Sequence, residues 1–323
     1  MNRNVMVTEG KHQPNWPPVT IVVPAYNSVA TIGRCVQSLL QQNYPYDLTR
    51  IIIVDNNSTD GTRAELLRHE GHIDLLDEPT RGPSAARNAG IMAADTELIA
   101  FTDADCIVDP SWLGELVKIS INQPMAGFIG GRIDSFQAQT PVQYYFASHF
   151  DQKAAIANPA VPSVITANML ARRSDLIRIG LFDETFLRGE DVDLSFRAAF
   201  DYGVTFAYAD LAIVYHINIK TLGALFAKGM QHGVSLYHNL GKHSEKIGLT
   251  RRQRLLRRRT YHGILKELWR AFGLGLIIAN NDEPITERQR ALFQATFDLG
   301  RQVGLLRAML TPSVAWRSWA KKW

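Results

Sequence analysis

The sequence predicts an α/β fold: a parallel sheet with helices on both faces, followed by a helical C-terminal region. Three observations carry that expectation. Short apolar runs rich in β-branched residues alternate with runs of helical spacing from Val19 to Phe101. Polar, turn-forming clusters fall directly after the first, second and fourth apolar runs. Beyond His216 the alternation gives way to amphipathic helical periodicity.

Val19–Ala25 is continuously apolar up to Pro24 and fits a strand buried on both faces. Ile32, Val36, Leu39 and Leu40 recur at helical spacing, and Pro45 stops that helix. Ile51–Val54 is a second strand, closed by Asp55-Asn56-Asn57-Ser58-Thr59-Asp60-Gly61. Ala64–Arg68 fits a short helix and Ile73–Leu76 a third strand. Ser84 is placed to cap a helix running to Met92, and Leu98–Phe101 is a fourth strand. The pattern then loosens, with a helix over Ser111–Ile121, a strand near Phe128–Ile133 and a helix after Pro141. Val164–Ala171 is strand-like, Glu190–Phe200 helical, and Val204–Tyr208 and Ala212–Tyr215 are short strands. Helices are expected over Thr221–Asn239, Arg251–Ile278 and Glu287–Met309. The chain thus divides into a polar tail (1–18), an α/β body (19–216) and a basic helical region (217–323). Within the last, Phe226-x-x-Gly229-x-Gln231-x-Gly233 recurs as Phe297-x-x-Gly300-x-Gln302-x-Gly304. Glycines four apart share a helix face, so chance or two tightly packed helices is preferred here to a ligand role.

The composition bounds the function. The chain has 323 residues, 46% hydrophobic and 20% charged, with a mean hydropathy of −0.11. That is a globular composition, with room for one large domain and an appendage. Two cysteines cannot staple a chain of this size, which points to a reducing compartment. The first eighteen residues lack an apolar core of signal-peptide length, and the apolar stretch Ala271–Ala279 is too short to span a bilayer. A cytoplasmic protein, peripheral to the inner membrane face at most, is expected. The net charge of +4 conceals a division. Up to His216 there are 16 basic against 25 acidic residues; from Ile217 there are 19 against 6, balances of −9 and then +13. An acidic body with a basic tail suggests an anionic partner for the tail.

The chemistry-bearing residues follow the strands. In an extended segment Asp103 and Asp105 would point to one side, where two carboxylates can hold Mg²⁺ or Mn²⁺ with a diphosphate. Taken alone, two turn aspartates ahead of Pro110 explain the pair as well. Asp55 at a strand end can accept from a nucleobase N–H, or simply close a turn. The segment Arg81–Asn88 combines a glycine turn, a helix start and two guanidiniums, all suited to phosphate oxygens and equally to an ordinary surface cap. Glu190 and Asp191 open a helix, where acids are also expected from the dipole. The dipole lowers the pKa of such a base while neighbouring negative charge raises it, and sequence does not decide between them. His216 ends the last strand as a packed residue or a metal ligand.

Taken together and in order, these motifs resemble family 2 glycosyltransferases of the GT-A fold, a Rossmann-like nucleotide-diphospho-sugar transferase domain. The resemblance rests on Val22–Asn27, Val54–Thr62, Ala85–Gly90, Asp103-Ala104-Asp105, Thr166–Arg173 and Gly189–Arg197, and it spans Val19–His216. It implies that Pro24, Ala25 and Tyr26 line a nucleoside pocket and that Asp55 reads the base. Arg81 and Asn88 would lie near the diphosphate and ribose. Asp103 and Ala104 would approach the ribose, Asp105 would be the principal ligand of Mg²⁺ or Mn²⁺, and His216 would complete that metal site. Asp191 would be the catalytic base with Glu190 beside it, and Thr166–Arg173 would lie near donor sugar and acceptor. The implied reaction is inverting transfer from a nucleotide-sugar, UDP-sugars favoured, to a carbohydrate or lipid-linked acceptor, in polysaccharide or glycoconjugate synthesis.

Rival readings stay in view: a nucleotidyltransferase, a non-catalytic GT-A scaffold, or a nucleic-acid-binding module at Arg251–Arg259. No zinc spacing or stacking signature supports nucleic acid. An anionic membrane surface fits residues 217–323 better, through the basic run, Trp269 and the end carrying Trp316, Trp319 and Trp323.

Overall fold

A computed structural model describes residues 16–147, 151–243, 245–246 and 287–310. The tail up to residue 15, the basic run, the helix expected over Arg251–Ile278 and the aromatic C-terminal end lie outside the described residues. The first half follows the alternation closely. Strand β1 (Val19–Ala25) leads through helix α1 (Ile32–Leu40) to β2 (Thr49–Asp55), then α2 (Thr62–Leu67) to β3 (Asp74–Asp77). Helix α3 (Pro83–Ala93) returns the chain to β4 (Leu98–Phe101). These four strands pair in parallel, in the order β3-β2-β1-β4.

Both faces of β1 are covered, which explains why all of its residues but Thr20 are apolar, and Thr20 pairs its hydroxyl with Thr96 Oγ1 at 2.8 Å. Val19, Ile21, Val23 and Ala25 face one core with α1, and Val22 faces the other with Ile91 of α3. Helix α3 begins one residue before the expected cap. Pro83 takes the first helical position, which its fixed φ suits, and Gly82 at φ +136° is the cap residue. Ser84 is therefore inside the helix, donating to Phe186 O at 3.1 Å.

The second half departs from the expectation of a parallel sheet. After a turn at Asp103–Cys106 come β5 (Cys106–Val108), α4 (Trp112–Asn122), β6 (Ala126–Ser135), α5 (Pro141–Ala147) and α6 (Gln152–Ala157). Then follow β7 (Met169–Arg172), α7 (Arg173–Ile179), α8 (Glu190–Tyr202) and β8 (Thr205–His216). The full order is β3-β2-β1-β4-β7-β6-β8-β5, with β7 antiparallel to β4 and β6, and β5 antiparallel to β8. Strand β7 starts at Met169 opposite Phe101, the last residue of β4. The chain thus re-enters the sheet at the edge where β4 ends, led in by the turn Thr166–Asn168, and runs back antiparallel. The expected strand Val164–Ala171 is thus shortened to its second half.

The two short strands expected near Ala209 form one strand, β8, whose pairing with β6 shifts register between Gly131 and Arg132. Asn168 fills that irregularity. It is fully buried, donates from Nδ2 to Arg132 O and Ala212 O at 2.8 Å, and accepts from Trp112 Nε1 at 2.8 Å.

Two long helices close the described chain, α9 (Leu222–His243) and α10 (Glu287–Leu310). The repeated motif is where they touch. Gly229 lies against Phe297 O and Gly300, Gly233 against Arg301 and Leu305, and Gly304 against Met230, so the helices run in the same direction with the motifs in register. A Cβ at any of these glycines would overlap the opposing backbone. No helix among the described residues is long and apolar enough to cross a membrane. We predict that Gly304→Val destabilises the fold by about 2 kcal/mol. Gly241→Ala, at an open position on the partner helix α9, should be neutral or stabilising. Thermal unfolding of both variants by circular dichroism checks this, and equal melting temperatures would refute the packing argument.

Candidate active site

The C-terminal edge of the parallel half carries the first cluster. Asn27, at φ +46°, turns the chain after β1 and accepts from Thr59 N through Oδ1 at 2.8 Å. Val29 N donates to Asp60 Oδ2, and Ser28 N to Thr62 Oγ1, so the loops after β1 and β2 are stitched together. Asp55 is buried at the end of β2, accepting from Ser58 N at 3.1 Å with Arg63 Nη1 at 3.7 Å. Asn56 beside it holds the opposite wall: Nδ2 donates to Glu78 O and Thr80 O, and Oδ1 accepts from Gly82 N. Arg81, on that wall, hydrogen-bonds Tyr26 Oη and stacks over its ring at 4.6 Å. Pro24, Ala25, Tyr26, Asp55 and Arg81 therefore come together at one end of the sheet. Asn88 does not join them. It is buried, donating to Phe182 O and Glu184 Oε1 and accepting from Phe182 N, so both ends of its amide are engaged within the protein.

The second cluster is the turn after β4. Cys106 N donates to Asp103 O, so the two carboxylates leave a turn and diverge, contrary to the extended geometry expected. Asp103 Oδ1 accepts from Arg87 at 2.7 Å, while Asp105 Oδ2 lies 3.5 Å from His216 Nε2. Ala104 between them is packed into the core. Pairing of Cys106 with His216, together with Ile217 N donating to Asp105 O, fixes the aspartate against the histidine. Asn218 Oδ1 sits 2.8 Å from His216 Nδ1 and orients the ring, with Asn218 Nδ2 donating to Ser135 Oγ.

Asp105, Cys106 and His216 bring three potential ligand atoms within 4.8 Å of one another. Burial, then the charges of Asp105 and Asp103, push the Cys106 thiol well above its ordinary pKa. A thiol is also a soft donor, poorly matched to Mg²⁺ or Mn²⁺, which leaves an oxygen and an imidazole nitrogen. That pair, with phosphate oxygens to fill the remaining positions, fits Mg²⁺ or Mn²⁺. Asp103, held by Arg87, is not part of this group.

Arg87 joins the second cluster to the third. Almost wholly buried on α3, it donates from Nη2 to Asp103 Oδ1 and from Nη1 to Glu190 Oε1 at 2.6 Å. The two carboxylates hold its guanidinium firmly charged against the opposing effect of burial. Glu190 opens α8 after Gly189, which adopts φ +76°. Asp191 follows, accepting from Val192 N at 2.8 Å. Burial first, then the charge of Glu190, raises the Asp191 carboxyl to about 7, with Arg87 and the Val192 hydrogen bond opposing. Burial and Glu190 thus outweigh the effects that would lower the Asp191 carboxyl.

Behind α8 stands α9. Asn239 Nδ2 donates to Gly189 O, and a side chain at Gly189 would overlap Ser235. Buried Asp193 gathers Arg197 at 2.9 Å, Lys242 at 2.7 Å and His243 at 2.8 Å. Sequence reasoning missed Asn56, Asp193 and the true role of Arg87, which it treated as a phosphate-facing cation. The signal for Arg87 lay in its neighbours: Ala85, Ala86, Ala89 and Gly90 are too small to shield a charge on a buried helix, so that charge had to be paired.

Comparison with known proteins agrees with this architecture. Residues 20–180 match the family described as Glycosyl transferase family 2. Over 242 residues the chain is 31% identical to the Pre-mycofactocin glycosyltransferase of Mycobacterium tuberculosis, covering 72% of this chain. It spans about half the length of that relative. Glycosyltransferase AglE of Haloferax volcanii is 28% identical over 224 residues, covering 67% of this chain and 72% of the relative. A solved structure, the mannosyltransferase PcManGT from Pyrobaculum calidifontis in complex with GDP-Man and Mn²⁺, superposes with a TM-score of 0.58 at 19% identity. The match covers 96% of this chain and 81% of that one. The chain belongs to the family 2 glycosyltransferases and has their GT-A fold.

Proposed function

We propose that the chain catalyses inverting, divalent-metal-dependent transfer of a sugar from a nucleoside diphosphate to an acceptor hydroxyl, in polysaccharide or glycoconjugate synthesis. The observation that carries this reading is the Arg87 bridge, which sets Asp103 and its neighbour Asp105 beside Glu190 and Asp191. The nucleoside would occupy the pocket of Tyr26, Asp55 and Arg81, with UDP-sugars favoured from the sequence pattern. PcManGT, whose complex holds GDP-Man, makes GDP-sugars the first alternative to assay.

In this reading Asp191 accepts the proton of the acceptor hydroxyl as its oxygen bonds to the anomeric carbon. The bond from that carbon to the phosphate oxygen breaks, and the nucleoside diphosphate departs with its electron pair. One displacement inverts the anomeric centre through an oxocarbenium-like transition state. Asp105 and His216 would hold the metal, which when bound supplies Lewis-acid neutralisation of the leaving diphosphate. Arg87 keeps Asp103 and Glu190 in place, and Glu190 through its charge keeps Asp191 basic.

Asp191→Asn should lower transfer by about 10²-fold or more while donor binding persists. For the wild type, log kcat/KM should fall by one per pH unit below about 7, as the base becomes protonated, and level off above it. A profile flat between pH 5 and 9 would sink the assignment. Asp105→Asn should weaken Mn²⁺-dependent binding of the donor nucleotide by about tenfold or more, read by calorimetry; unchanged binding would remove it from the metal site. Arg87→Met strands buried Glu190 and half-buried Asp103 and should cost about 3 kcal/mol, measured by urea unfolding. A loss below about 1 kcal/mol would mean that the bridge does not hold the site together.

A further inference from the structure

Asn218 lies two residues past β8 and beyond the residues matched by the family, yet it is almost wholly buried and packed against His216. The two ends of its amide meet different elements. Oδ1 is 2.8 Å from His216 Nδ1, and Nδ2 donates to Ser135 Oγ of β6 at 2.8 Å. Its main-chain carbonyl accepts from Gln143 Nε2 at 3.3 Å. Gln143 is itself buried in the first turn of α5, where its Oε1 accepts from Gln139 N and Thr140 N. Asn218 is therefore held through main chain and side chain at once, and it is held against a residue of the proposed metal site.

A neutral imidazole carries one N–H, and its other nitrogen keeps the lone pair that can bind a metal. Two distances decide which nitrogen of His216 is which. Nδ1 is at full hydrogen-bond distance from Asn218 Oδ1, whereas Nε2 is 3.5 Å from Asp105 Oδ2, beyond the ordinary N–H···O range. An amide oxygen has no hydrogen to give, so the short contact requires the hydrogen on Nδ1. The reverse amide would aim an N–H at Nδ1 and move the ring hydrogen to Nε2. Asp105 would then draw that hydrogen into a bond rather than stand at 3.5 Å. With the hydrogen on Nδ1, the Nε2 lone pair and the Asp105 carboxylate face each other, and a cation bound by both resolves the repulsion.

We propose that Asn218 is a positioning residue: it holds His216 in the Nδ1–H tautomer and so presents the Nε2 lone pair to the divalent cation beside Asp105. This rests on the reading of Asp105 and His216 as the metal site. Packing alone can orient a ring, but an acceptor at this position also chooses the nitrogen that keeps the hydrogen. Ser135 and Gln143 serve the same end at one remove, since they keep the amide and the main chain of Asn218 in place.

Long-range proton–nitrogen NMR of the full chain, labelled with nitrogen-15 in histidine, reads the tautomer directly. Spectra are taken without metal at about pH 8, where an unperturbed imidazole is neutral. The His216 signals are those that His216→Gln removes. The wild type should show Nδ1 as the N–H nitrogen and Nε2 as the bare one, and this measurement needs no Asn218 variant to fold. Asn218→Leu, close in size but without an acceptor, should shift His216 toward the Nε2–H form. The same variant should weaken Mn²⁺ binding about tenfold or more, read from the paramagnetic resonance of the unbound ion with UDP or GDP present. Asn218→Asp keeps an acceptor and should retain the tautomer and most of the affinity. An Nε2–H wild type overturns the proposal. So does Asn218→Leu with tautomer and affinity unchanged, or an equal loss of affinity in Asn218→Leu and Asn218→Asp. The two failures are distinguishable. His216 signals that Mn²⁺ does not broaden, with a tautomer that still depends on Asn218, mean that the metal reading has failed. Broadened signals with a tautomer indifferent to Asn218 mean that only the positioning role is wrong.

Discussion

The site depends on one buried guanidinium. Arg87 carries the only positive charge in direct contact with Asp103 and Glu190 among the described residues, and it does so almost fully out of water. Glu190 could not be buried with half-buried Asp103 nearby without a cation between them. Its reach depends in turn on how closely α3 lies on the sheet. A side chain at Gly90, one turn further along α3, would collide with Val22 of β1. The small residues that make α3 lie flat are thus part of the reason that Arg87 spans from β4 to α8.

The same bridge enters the electrostatics of Asp191, the proposed base. Arg87 lowers the Asp191 carboxyl, and Glu190 and burial raise it; the raising effects are the larger. Because the guanidinium is shared with Asp103, its field at Asp191 is partly cancelled. An arginine held by Glu190 alone would be a stronger acidifying neighbour. Burial and Glu190 do most to raise Asp191, and Asp103, which shares the guanidinium, adds to the same direction.

Legibility in the sequence followed the range of the interactions. The parallel half was readable because each strand declares itself locally: β1, β2 and β4 are apolar runs closed by Pro24, Asp55 and Thr102. The residues at those strand ends were readable for the same reason, since position at the sheet edge follows from the strand itself. The second half was not. The antiparallel direction of β7 depends on the sheet edge at which the chain re-enters after α6, and the continuity of β8 depends on Asn168 filling a gap between strands, neither of which leaves a local pattern. Asn88 and Arg87 show the limit most directly. Both sit in a motif whose ligand-facing appearance was plausible, and both are satisfied by partners about a hundred residues away.

The basic C-terminal region was legible as a division of charge but not as a division of labour. Its first described helix supplies structure to the acidic body through specific contacts: Asn239 on Gly189, and Lys242 and His243 on Asp193. These contacts fall on the first turn of the helix that carries Glu190 and Asp191. A single helix of that length, touching α8 only near its own C-terminal half, would hold α8 loosely. Helix α10 removes that freedom, because glycines at the contact bring the two backbones together with no flexible side chains between them. It also meets α5, where Tyr145 donates to Gln294 and Phe146 packs with Phe297. The glycine repeat thus makes α9 one wall of a rigid pair anchored on the body at two places. The placement of Asp191 is in that sense determined as much by residues beyond His216 as by the motif in which it sits.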